Sequence, residues 1–115
     1  MATHKNYSIE VRLWIEETEG PFLGIGKIWL LENIRKTGSI TNAAKEMKMA
    51  YRQAWQLVQE MNQRAESPLV EKLLGGKGGG GAKLTEAGER AIETFYEIEK
   101  RIKDFAHQQA QNLKF

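Results

Sequence analysis

Residues 73–85 read LLGGKGGGGAKLT, and six of the seven residues from Gly75 to Gly81 are glycine. No helix or strand interior suits such a run. Each glycine costs about 0.5–1 kcal/mol more than alanine to fix in regular backbone. The run therefore separates two short strand-like pieces, LVEKLL (69–74) and AKLT (82–85), which pair across it. The full 115 residues suffice for one domain, 1–115, with a modest core.

Upstream, SIEVRLWIE (8–16) alternates, with Ile9, Val11, Leu13 and Ile15 on one side and Ser8, Glu10, Arg12 and Trp14 on the other. Period two predicts a half-buried strand, which EGPFLG (19–24) then breaks. In IGKIWLLENIRK (25–36), Ile25, Ile28, Trp29, Leu31 and Ile34 recur at helical spacing, with Gly38 as the stop. SITNAAKEMKM (39–49) predicts a second, short helix with Ser39 or Thr41 as N-cap and Ala43, Ala44 and Met47 as its packing stripe.

A third helix spans YRQAWQLVQEMNQR (51–64). At about 100° per residue, Ala54, Val58, Met61 and Ala65 share one face, while Arg52, Gln56, Gln59 and Gln63 lie opposite. Tyr51 and Trp55 fall on the border. Thr85 caps a final helix, 86–108, with an apolar stripe of Ile92, Phe95, Ile98, Ile102 and Phe105. That stripe is too long for the other short helices to cover, so a homodimer seam is expected there, with Trp14 joining it.

Composition narrows the function. Cysteine is absent, and His4 and His107 stand alone, so neither a disulfide nor a metal cluster is expected. No window is apolar enough for a membrane span and the N-terminus has no apolar signal core, which predicts a cytoplasmic protein. The net charge of +2 is unevenly spread. Residues 21–85 carry ten lysines and arginines against five glutamates, between two acidic ends, a distribution suited to a polyanion. Gly76, Gly78 and Gly81 fit G-x-G-x-x-G, but only one helix follows, and no GK[ST] is present, so no nucleotide cofactor is expected. No nucleophile and base stand out as a pair, so an enzyme is not expected. Glu86, Glu89, Glu93 and Glu97 follow helical spacing near a helix start, where the macrodipole favours them.

Strand, helix, helix, turn, helix, strand, glycine loop, strand, helix is the order of a winged helix-turn-helix, mainly α with a small β-wing. In that fold the third helix enters the major groove of double-stranded DNA. Arginine can bridge guanine O6 and N7, and glutamine can bridge adenine N6 and N7, which makes Arg52, Gln56 and Gln59 base-reading candidates. Ser39, Thr41, Asn42 and Lys45 lie where phosphates pass. Lys72, Lys77 and Lys83, with Gly78 and Gly79, would bring the wing to the backbone.

TGSITNAAKEMKMAYRQAWQLVQEMNQ and LVEKLLGGKGGGGAKLTEAGER resemble the N-terminal DNA-binding domain of the molybdate-responsive ModE regulator family. More distantly they resemble the LysR-type regulators, which share the GS-x-x-x-AA helix and the LT-x-AG helix start. The resemblance spans about residues 25–92. It implies a winged-helix transcription factor acting as a homodimer on an inverted-repeat operator. Tyr51, Arg52 and Trp55 match the family's YK-x-x-W pattern with arginine for lysine. This implies a DNA-facing role for Tyr51 and Arg52, while Trp55 also suits packing beneath the wing. Two departures stand out. Ala50 occupies a cap position that is often serine in the family. Family members commonly continue into molybdate-binding domains, whereas this chain stops at Phe115, so no oxyanion sensor or other small-molecule ligand is assigned and the molybdate response does not carry over. The expected function is a sequence-specific transcriptional regulator. The alternatives are an architectural DNA binder with little sequence preference and a protein-interaction adaptor.

Overall fold

The computed structural model describes residues 4–75 and 80–115, so the expectations for Lys77, Gly78 and Gly79 lie outside the described residues. Its elements, in chain order, are β1 (Trp14–Glu17), β2 (Gly20–Gly24), α1 (Ile25–Thr37), α2 (Ile40–Glu46), α3 (Tyr51–Arg64), β3 (Val70–Lys72), β4 (Ala82–Leu84) and α4 (Glu86–Ala110). The winged helix-turn-helix order holds, with two separate antiparallel hairpins, β1–β2 and β3–β4.

The core forms around α1, which packs against α2, α4, β2 and β4. Ile28, Leu30, Leu31 and Ile34 are fully buried. On a helical wheel these four fill an arc of roughly 160°. Trp29 lies outside that arc and is 51% exposed, so Leu30 replaces it in the apolar stripe read from the sequence. Gly38 ends α1 in the left-handed region at φ 72°.

The N-terminal strand is shorter than the alternation predicts, and it has a partner the sequence hides. GPFLG, which reads as a breaker, is β2. Its register runs from Trp14↔Gly24 to Glu17↔Gly20, with an irregularity between Ile15 and Glu16. Gly24 is the last pairing position because α1 begins at Ile25, so residues before Trp14 have no strand to join. Pro21 is tolerated because a two-stranded ribbon is all edge. Gly20 turns at φ 151°, and the Arg64 guanidinium lies against it, donating to the Pro21 carbonyl.

Ser39, rather than Thr41, caps α2. Its Oγ accepts from the Asn42 N–H at 3.0 Å. Lys48, at φ 54°, turns the chain into α3. The buried residues of α3 are Ala54, Val58 and Met61, as the wheel predicts, and Ala65 is half-buried. Beyond α3, the Asn62 side chain staples the wing. Its Oδ1 accepts from the N–H groups of Leu69 and Val70, at 2.8 and 3.1 Å, and its Nδ2 donates to the Val70 carbonyl at 2.9 Å. The wing register is Val70↔Leu84, Glu71↔Lys83 and Lys72↔Ala82.

Thr85 starts α4. Its Oγ1 accepts from the Gly88 N–H and donates to the Pro68 carbonyl. The helix runs for 25 residues, about 37 Å, and the molecule is 72 Å along its longest axis. The expected seam divides. Ile92 and Phe95 belong to the chain's own core, because the first half of α4 crosses α1 and β4. Ile98 and Ile102 are half-buried, and Phe105 is 63% exposed. Trp14, also assigned to the seam, is 60% exposed.

Two outcomes follow from this packing. Glycine to alanine inside a helix ordinarily stabilises by about 1 kcal/mol. At Gly88 a Cβ would stand 2.2 Å from the Leu69 carbonyl oxygen, so Gly88→Ala should lower stability by about 1–3 kcal/mol in thermal or denaturant unfolding. Burial first, and then the Glu32 carboxylate that accepts its hydroxyl at 2.7 Å, push the Tyr96 phenol up to about 12. An unfolded tyrosine titrates near pH 10. The stability contributed by this phenol is therefore complete below pH 10 and is lost as pH rises through about 12. A tyrosinate absorbance titration should show one late component, which Tyr96→Phe removes.

Candidate nucleic-acid interface

The amphipathic pattern of α3 leaves Arg52, Gln56, Gln59 and Gln63 exposed on the side opposite Ala54 and Val58. No side chain caps the helix, since Ala50 offers no hydroxyl. On α2, Thr41, Asn42 and Lys45 are exposed and Ser39 is half-buried. Gly38 links this helix pair to the wing, because its carbonyl accepts from the Ala82 N–H at 2.9 Å.

Four of the residues picked from the sequence meet in one place. Ser39 and Thr41 from α2, Tyr51 at the start of α3 and Lys72 of β3 line a cavity of about 220 Å³, with Gly80 and Gly81 on its wing side. Trp55 is half-buried, and the Lys72 Nζ sits 5.5 Å from its ring centroid. This is a cation–π arrangement. Trp55 therefore does pack beside the wing.

Lys83 behaves differently. It pairs with Glu71 at 3.2 Å. Alternation along the two strands puts that pair on the face of the wing opposite Lys72. The local charge of Lys83 is thus offset, and it stands apart from the other candidates.

The remaining charges divide by location. Arg90, Lys100, Arg101 and Lys103 pair with carboxylates four positions away within α4, and Arg35 meets Glu32 and Glu89. Among the described residues, Lys45, Lys48, Arg52 and Lys72 form no ion pair within 4.0 Å. Among the described residues Lys5, Arg12, Lys27, Lys36, Arg64 and Lys114 form none either, so unpaired positive charge is available to a polyanion on α2, α3 and the wing without being confined to them. Among the described residues no cluster of three metal-ligating side chains occurs, and no helix is long and apolar enough to cross a membrane.

Sequence reasoning missed Asn62 and Gly38 as the residues that set where the wing stands. Asparagine is a weak helix former that favours bonds to nearby backbone, and that was the signal available at Asn62. For Gly38 the signal was limited to its role as a helix stop.

The comparisons with known proteins agree with this geometry. A family model described as bacterial regulatory helix-turn-helix protein, lysR family, matches residues 26–89. That is more than half the chain, from α1 into the first turn of α4. The DNA-binding transcriptional dual regulator ModE of Escherichia coli strain K12 is 42% identical over 86 residues, covering 75% of this chain and 33% of that protein. The molybdenum-pterin-binding protein MopB of Rhodobacter capsulatus is 45% identical over 86 residues, covering 75% of this chain and 32% of its own length. The transcriptional regulator ModE of Haemophilus influenzae is 36% identical over 97 residues, covering 84% of this chain and 38% of its own length. The chain thus spans about a third of the length of these relatives. Helix order, wing and matched residues place the chain in the lysR family of bacterial regulatory helix-turn-helix proteins.

Proposed function

We propose that this chain is a sequence-specific, double-stranded-DNA-binding transcriptional regulator that acts as a homodimer. The observation that carries the reading is the exposed Arg52, Gln56 and Gln59 face of α3, flanked by cations without carboxylate partners among the described residues. Arg52 would read guanine and the glutamines adenine in the major groove. Thr41, Asn42, Lys45 and the wing would hold the backbone and set the register. The printed regulator names of the relatives from Escherichia coli and Haemophilus influenzae support the same reading.

The second half of α4 supplies the dimer. Residues 86–99 carry five glutamates against Arg90, whereas residues 100–114 carry Lys100, Arg101, Lys103 and Lys114 against Asp104. A parallel pair would set acid against acid. An antiparallel pair sets each acidic half against the partner's basic half. A two-fold axis near Lys100 then brings Ile98 opposite Ile102 of the partner subunit. Phe105 falls beside Thr94 of the partner subunit, at the end of a groove of about 580 Å³ also lined by Ala87 and Ala91. Large apolar side chains meet small ones. Two copies of α3 about 34 Å apart would read successive turns of a palindrome.

Selection of bound fragments from random duplex DNA should yield a palindromic consensus that survives excess random competitor. Equal affinity for all duplexes would mean an architectural binder instead. Arg52→Ala should cost about 1–3 kcal/mol and relax the preference at one base pair in each half-site. In sedimentation, Phe105→Glu should convert the dimer to a monomer whose circular dichroism keeps the helical signal of the parent. A variant that stays dimeric would remove α4 from the interface.

A further inference from the structure

We infer that the cavity between α2, the start of α3 and the wing seats a single backbone phosphodiester of duplex DNA, with Trp55 positioning the lysine that binds it. This rests on the DNA-binding reading above and goes further, by naming one group and the residues around it.

The walls are held by backbone bonds. Ala82 N–H donates to the Gly38 carbonyl, and Leu73 N–H donates to the Gly81 carbonyl, both at 2.9 Å. Both glycines are needed for this closeness. A Cβ on Gly81 would stand 2.7 Å from the Gly38 oxygen, and one on Gly80 would stand 2.5 Å from the Leu73 oxygen. What remains open is about 220 Å³, several times the roughly 30 Å³ that a water occupies in the liquid.

The chemistry of the lining selects an oxyanion. Three hydroxyl-bearing residues, Ser39, Thr41 and Tyr51, line it together with Lys72, and among the described residues no carboxylate lines the cavity. The Ser39 oxygen already accepts from Asn42 N–H, so its hydroxyl proton is left to donate. Charge-assisted hydrogen bonds from such a set suit the two non-bridging oxygens of a phosphodiester. The site also borders α3 at Tyr51, on the edge between its buried face and the face that carries Arg52 and the glutamines, as a backbone beside an occupied groove requires.

Lys72 is the charge, and Trp55 holds it. An ion pair would neutralise the ammonium, as Glu71 does for Lys83. An indole face attracts the cation through its quadrupole and leaves the charge intact for a ligand. Trp55 is therefore a positioning residue that keeps a flexible lysine stem at the mouth of the cavity.

The test uses the consensus duplex from random selection, with one phosphate at a time replaced by a neutral methylphosphonate. In the wild-type protein one backbone position per half-site should cost about tenfold in affinity. Lys72→Gln should lose about the same on the unmodified duplex and almost nothing further at that position, while keeping normal sensitivity elsewhere. Trp55→Leu should behave like Lys72→Gln, and Trp55→Phe, which keeps an aromatic face, should restore the coupling. Circular dichroism of each variant separates these losses from unfolding. If the modified duplexes weaken the wild type and Lys72→Gln alike at every position, the phosphate seat is wrong while the DNA-binding reading stands. Failure of the wild type to bind any duplex overturns both. Displacement of the duplex by inorganic phosphate, beyond that by chloride at matched ionic strength, would make this a free-anion site and overturn the phosphodiester assignment.

Discussion

The position of the wing relative to α3 depends on a few hydrogen bonds that do not belong to either strand. Asn62 clamps the wing's first strand to the end of α3 through three bonds, and the Gly38 carbonyl clamps its second strand to the turn between α1 and α2. Each is worth about 1 kcal/mol net. Together they turn a hairpin of three-residue strands, too short to be stable alone, into a fixed wall beside the exposed face of α3. Without that wall Lys72 would not reach Trp55, and Tyr51 would border open solvent.

The element that carries each cation decides what it does. Lysines and arginines on α4 are spent on neighbours one helical turn away, exposed pairs that contribute little to stability. Lys83 is held by Glu71 across the outer face of the wing. Lys72, one residue from Glu71 but on the other face, meets an aromatic ring instead. Strand alternation thus separates two lysines of the wing into one neutralised and one available.

Much of the fold was legible in the residues themselves. The limits of α3 and its buried face follow from a strong 3.6-residue pattern, and the cap Thr85 follows from a hydroxyl that binds the first N–H groups of α4, while for α2 the sequence left Ser39 and Thr41 both open. Three features were not legible. GPFLG looks like a break because glycine and proline are poor in strand interiors, yet an isolated ribbon has no interior. Trp29 looks like core by spacing, but the partners of α1 cover an arc that excludes it. The stripe of α4 looks continuous, although Ile92 and Phe95 meet α1 while Phe105 reaches beyond the protomer's own elements. Of the candidate site, the α3 face and the individual wing lysines were readable. Which lysine would be free was not, because a counter-ion across a strand pair leaves no local signal.

Sequence by itself determined the order of the elements from α1 onward, the polar face of α3, the interruption of the wing by glycine and the division of acid and base along α4. These depend on neighbours within a turn or two, where spacing and side-chain type suffice. Tertiary structure alone decided that Ser39, Thr41, Tyr51 and Lys72 share one cavity, that Trp55 faces Lys72, and that α4 buries half of its stripe. Those relations join residues distant in the chain, and only the packing of α1 against its partners, with the Asn62 and Gly38 clamps on the wing, brings them within reach.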